Sequence, residues 1–236
     1  FSRKDFNKAF SLTPKKSISI ESKWSLVKLG KVAPYITDKI SLSSINTSDY
    51  ITTDNLLQNR LGVVEFTGTP NIDRITAYQE EDILISNIRP YLKKIWMADK
   101  KGGCSNDVLV FRSAKPNEYL PRYIFNVLSS DLFFDYVMSG KQGVKMPRGD
   151  KEQIVQFPIP LPPKEIQEKI VTECEAIDQE VKQAQKTIDK ANKEIEALFN
   201  DADAKANKTL KLSNSDIFKI SIGKRVIASE IEQTEN

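Results

Sequence analysis

Nine small or branched apolar residues, Ile170, Cys174, Ile177, Val181, Ala184, Ile188, Ala191, Ile195 and Leu198, follow one another at alternating steps of four and three, with mostly Glu, Lys, Gln and Asp between them. That spacing keeps one narrow apolar stripe on a single side of an α-helix. It predicts a helix from about Lys164 to Phe199, roughly 54 Å long at 1.5 Å per residue. A rod of this kind has nothing of its own to fold back on, so a second helix must cover the stripe. Cys174, Val181, Ile188 and Ile195 fall at a positions and are small or β-branched, while Ile170, Ile177, Ala184, Ala191 and Leu198 fall at d. Two alanines in so narrow a seam favour close approach of one partner. We expect residues 164–201 to be a coiled-coil spacer that also dimerises the chain.

Upstream the period changes. From Trp24 to Leu161, short β-rich apolar runs are broken by turn residues: Leu61–Phe66, Ile83–Ile85, Ile95–Ala98 and Val108–Phe111 read as strands. Gly62, the stretch Gly68-Thr69-Pro70-Asn71 and the stretch Lys100-Lys101-Gly102-Gly103 read as turns. One helix is expected among them, opened by Pro121, carried by Tyr123, Ile124, Val127, Leu128, Phe133, Phe134 and Val137, and stopped at Gly140. In IVQFPIPLPP, residues 154–163, apolar side chains alternate with Gln156, Pro158, Pro160 and Pro162. Proline donates no ladder hydrogen bond, so this run suits an edge strand or a surface strap. The expected class is therefore α+β: a mixed domain over 23–163 followed by the long helix. Residues 1–22 read as a linker or docking arm. Residues 202–236 read as a tail or the start of a second repeat, because Lys211-Leu212 loosely echoes Lys28-Leu29. The opening residue is Phe1 and not Met, which suggests a piece of something longer.

Composition removes several functions. The chain has no histidine, so no Ser-His-Asp triad, Cys-His pair, HExxH zinc site or imidazole base is available. Its two cysteines, Cys104 and Cys174, are too far apart in sequence for a CxxC clip. Neither a long apolar span nor a signal segment is apparent, which makes a cytoplasmic chain the expectation. Net charge is only +3, yet Ile83–Arg148 holds eleven basic residues against five acidic ones. A local basic surplus on a near-neutral chain points toward a polyanion.

Four stretches, in order, resemble the specificity subunit of type I restriction-modification systems: WSLVKLGKV (24–32), DILISNIRPYLKK (82–94), GGCSNDVLVF (102–111) and PLPPKEIQEKIV (160–171). That resemblance implies a DNA target recognition domain followed by a conserved helix, usually twice per chain, with the two helices antiparallel. This sequence shows one such unit, so it looks like half of the usual subunit. FNKAFSLTPKKSISIESKW (6–24) also resembles the junction behind a fused adenine methyltransferase. The resemblance further implies a non-catalytic chain. The adenine methyltransferase subunit and the restriction and translocase subunit would be its partners, and S-adenosylmethionine, ATP and Mg would be expected only on them.

Candidate DNA contacts follow from residue chemistry. Arg89 suits guanine O6 and N7, and Lys93 and Lys94 suit phosphates. Alternatively, Arg89 is structural and pairs with Asp82 or with carbonyls. Loop SGKQGVKMPRGDK (139–151) adds Lys141, Lys145 and Arg148 for phosphates and Gln142 for adenine N6 and N7, with three glycines that permit close approach. Asn71 and Arg74, in GTPNIDR, and Arg60, beside Gly62, complete the set. A helix of about 54 Å spans roughly 16 base pairs at 3.4 Å each, enough to set the distance between two recognition domains. Two half subunits paired through it would read an inverted repeat. A second possibility is a coiled-coil assembly module whose head binds protein. A third is a methyltransferase fragment, but NIRPY (87–91) lacks the first proline of an NPPY motif and no FxGxG loop precedes it.

Overall fold

The computed structural model describes residues 20–70, 72–141 and 146–205, with side chains to residue 200. The expected arm before Ile20 and the expected repeat start after Lys205 lie outside them. The chain divides into two units, one ending at Ile177 and the other beginning at Asp178.

The first unit is built around a three-stranded antiparallel sheet of β5 (Ile83–Ser86), flanked by β6 (Ile95–Met97) and β8 (Val108–Phe111). Side chains alternate across a strand, and here both faces are covered. Ile83, Ile85, Ile95, Leu109 and Phe111 pack into one core with Tyr123, Ile124, Leu128, Phe133, Phe134 and Val137 from two helices. Leu84, Trp96, Val108 and Val110 point the other way and join Ile51, Leu56, Tyr78 and Cys104 in a second core. Ile83–Ile85 and Val108–Phe111 are thus continuous apolar runs because neither face meets water.

The second core is closed by a four-stranded sheet in the order β2 (Lys39–Ser41), β4 (Arg74–Tyr78), β7 (Gly102–Cys104), β3 (Tyr50–Ile51). Gly102-Gly103 forms a strand and not the turn expected from the sequence. The reason is space: a Cβ on Gly102 would strike the Asp49 carbonyl and the Tyr78 hydroxyl, and one on Gly103 would strike the Ile75 side chain. Leu61–Phe66 is not a strand either; only Val63 bridges, to Leu56. The single expected helix is two, α2 (Pro121–Leu128) and α3 (Asp131–Ser139). Ser130 leaves helical geometry and caps α3 by accepting the Phe133 N–H at 3.2 Å. Pro121 opens α2 and Gly140 ends α3, as expected.

Strand β1 (Leu26–Lys28) runs into a short α1 (Leu29–Val32), whose Leu29 and Val32 are buried in the first core. The proline-rich run behaves as a strap: after the short α4 (Lys151–Ile154), β9 (Pro158–Pro160) pairs antiparallel with β1, burying Phe157 and Ile159 and leaving Pro158 and Pro160 half-buried. It then enters α5 (Lys164–Lys205), 42 residues and about 63 Å long. Its first turns are fixed to the domain by Gln167 and by an Arg122–Glu175 ion pair at 3.6 Å. Ile170, expected in the coiled-coil seam, instead packs with Val171 against the first core.

Candidate nucleic-acid interface

Three loops carry most of the expected cations, and backbone hydrogen bonds stitch them together. Arg60 N–H donates to the Lys93 carbonyl at 3.0 Å, Arg89 N–H to Pro147 at 2.8 Å, and Gly149 N–H to Asn87 at 3.1 Å. Ile88 also bridges Arg148 across the second pair of loops. The backbone turns sharply at these points: Asn59, Arg60, Arg89 and Lys93 have φ of 55°, 64°, 50° and 51°. Non-glycine residues hold left-handed geometry at a cost of roughly 1–2 kcal/mol each, so the surrounding bonds must enforce it.

The side chains divide into two sets. Arg60 donates to the Ser129 carbonyl and to Asp131 while lying 5.7 Å from the centre of the Phe134 ring. Lys93 reaches the same Asp131 at 2.7 Å. The two cations, Lys93 first and Arg60 second, hold the Asp131 carboxyl below its usual range. Lys94 donates to the Thr53 carbonyl. These three cations therefore fasten loops as well as supplying charge. Arg148 faces outward beside Asp107 at 3.3 Å, and Arg89 and Lys141 are exposed. Asp82 is not a partner of Arg89, because Arg112 grips both of its carboxylate oxygens at 2.7 Å. Arg74 opens β4 opposite Ser41, on the other sheet, and shares none of the stitching bonds. Asn71, Gln142 and Lys145 lie outside the described residues.

Two residues were not singled out in the sequence, Asp131, which organises this face, and Gln167, which fastens the start of α5. Asp131 reads as an ordinary helix-start acid; only the fold brings Arg60 and Lys93 to it. Gln167 sits in a run of polar residues at the start of α5, yet it is 2% exposed. Its Oε1 accepts the Leu120 N–H, and its Nε2 donates to the carbonyls of Glu118 and Pro162.

Along α5, Cys174 is half-buried, whereas Ile177, Val181, Ile188, Ile195 and Leu198 are between 49% and 70% exposed. Ala184 and Ala191 are exposed with them. Among the described residues no His, Cys, Asp and Glu side chains cluster as a metal site would require, and no helix is long and apolar enough to cross a membrane.

The basic loops thus form one stitched face on an α+β domain that continues into a long helix. Residues 21–196 match the type I restriction modification DNA specificity domain, and the chain belongs to that family. It is 27% identical over 167 residues to the type I restriction enzyme EcoDI specificity subunit of Escherichia coli, a match covering 67% of this chain and 36% of that protein. The chain thus spans about a third of the length of that curated relative. The fold is similar to a chain from a type I restriction-modification system solved to explain complex assembly and conformational transition, with TM-score 0.60 and 23% identity over 82% of this chain and 53% of that one. It is also similar to the HsdS subunit from Thermoanaerobacter tengcongensis, with TM-score 0.58 and 23% identity over 84% and 54%. The α+β class and the long helix expected from the sequence agree with both.

Proposed function

We propose that this chain reads duplex DNA through the face built by loops 57–62, 87–94 and 146–150 and thereby directs a methyltransferase subunit and a restriction subunit to a bipartite site. The observation that carries the reading is the network of backbone hydrogen bonds joining three basic loops, two of which contain residues held in left-handed geometry. Affinity comes from Arg89, Lys141, Arg148 and the Asp131-anchored Arg60 and Lys93 acting on phosphates, and selectivity from base-edge contacts within the same loops. The chain performs no chemistry itself; S-adenosylmethionine, ATP and Mg act on the partner subunits, in the cytoplasm. Two copies pair through the stripe from Ile177 to Leu198, and the spacing of the two half-sites follows from the helix.

Selection of a random duplex pool by the purified chain at two salt concentrations, with the mass of the complex measured alongside, tests this. An enriched inverted repeat bound by a dimer is expected, with log affinity falling by about 0.9 per phosphate contact for each tenfold rise in salt. Binding that ignores both sequence and salt refutes the reading and favours a protein-binding head.

A further inference from the structure

Two apolar side chains on the globular unit are held out into solvent by an unusual backbone. Leu61 is 71% exposed and Tyr91 is 49% exposed. Leu61 lies between Arg60 and Gly62, whose φ values are 64° and 85°, and follows Asn59 at 55°. Tyr91 lies between Arg89 at 50° and Lys93 at 51°. Five of the seven positive-φ residues described in the chain therefore bracket these two side chains. The Arg60 N–H to Lys93 carbonyl bond ties the two tips into one assembly. Met146, also half exposed, adjoins Pro147, whose carbonyl receives the Arg89 N–H.

Leu61 and Tyr91 play no part in either buried core. A surface that only neutralised phosphates gains nothing from apolar tips among its cations, because phosphates offer no apolar partner. The edge of a base pair in the major groove does offer one, the thymine C5-methyl group. Arg89, exposed beside Tyr91, is free to hold the strand backbone while a tip enters the groove, and Arg60 and Lys93 add their charge from their positions on Asp131. Resting on the DNA-reading role above, we propose that Leu61 and Tyr91 determine specificity by packing on thymine methyl groups.

The test uses the intact chain and the duplex it enriches, with deoxyuridine replacing thymine one position at a time. Each replacement deletes one methyl group and leaves every hydrogen bond in place. At one or two positions affinity should fall about fourfold, the value of one buried methyl. Leu61→Ala or Tyr91→Ala should bind the thymine and deoxyuridine duplexes equally at its own position, with the salt dependence of wild type. If a motif is enriched but every deoxyuridine is silent, or if both variants keep the wild-type sensitivity, thymine reading is overturned while DNA reading stands. If no motif is enriched, both fall together.

Discussion

Replacing Gln167 with Leu should loosen the joint between α5 and the recognition domain, and the structure sets the size of the effect. The amide makes three hydrogen bonds, one accepted at 3.1 Å from the Leu120 N–H and two donated at 3.0 Å to the carbonyls of Glu118 and Pro162. Each contributes about 1 kcal/mol net. The Pro162 carbonyl is buried and is left unpaired, which costs about 1–2 kcal/mol more, while the other two groups are near enough to solvent to recover water. The added leucine surface offsets about 1 kcal/mol. The balance is a loss of roughly 3–4 kcal/mol, equivalent to a fall of about 6–16 °C in Tm for a unit of this size. Urea unfolding followed by fluorescence of Trp24 and buried Trp96 reads it as a lower midpoint at unchanged m. A loss below about 1 kcal/mol refutes the idea that this amide fastens the helix. Gln167→Glu sharpens the test. Its carboxylate faces two carbonyls, so burial and repulsion raise its folded pKa above the unfolded value. Its stability is then greatest at low pH and lost as pH rises through the folded pKa.

Four further outcomes are expected. Gly102→Ala sets a Cβ against the Asp49 carbonyl and the hydrogen-bonded Tyr78 hydroxyl and should cost about 2–3 kcal/mol in the same urea assay. Burial pushes the Cys104 thiol up to about 12, so at pH 8 a thiol reagent should reach it only in denaturant, and rapid labelling of Cys104 in the native chain contradicts the packing. Arg148→Ala removes a cation whose pairing with Asp107 is exposed. Thermal stability should stay within about 0.5 kcal/mol, while DNA affinity drops and the salt slope shrinks by about 0.9 in a filter-binding titration. Ile188→Glu places a charge in the middle of the stripe; sedimentation should then report a monomer where the parent chain reports a dimer.

Elements whose apolar period is long or unambiguous were legible in the sequence. The stripe from Ile170 to Leu198 marked α5 to within a few residues, and Ile83–Ile85 and Val108–Phe111 were recognisable as strands because both of their faces are buried. Local pattern failed where distant contacts decide. Gly102-Gly103 resembles a turn until Tyr78 and Ile75 occupy the space a side chain would need. Ser129-Ser130 divides one apparent helix because a serine cap competes with helical continuation. The loops of the candidate face were visible as basic segments, but the pairing of Arg60 and Lys93 on Asp131 joins residues about 40 and 70 positions apart. No spacing rule in a single sequence encodes that meeting. Gln167 was hidden for the same reason: a polar residue on a polar helix gives no sign that three carbonyl and amide groups will close around it.

The antiparallel pairing of β1 with β9, with Leu26 opposite Pro160 and Lys28 opposite Pro158, places the chain's way into the domain beside its way out. Everything that meets DNA in the proposed reading lies on the excursion between those two strands. A segment with such neighbouring ends can be lifted out and another set in its place without redirecting the polypeptide on either side. On the proposed reading, new specificity requires only the exchange of one cassette, while the helix that follows it stays in place.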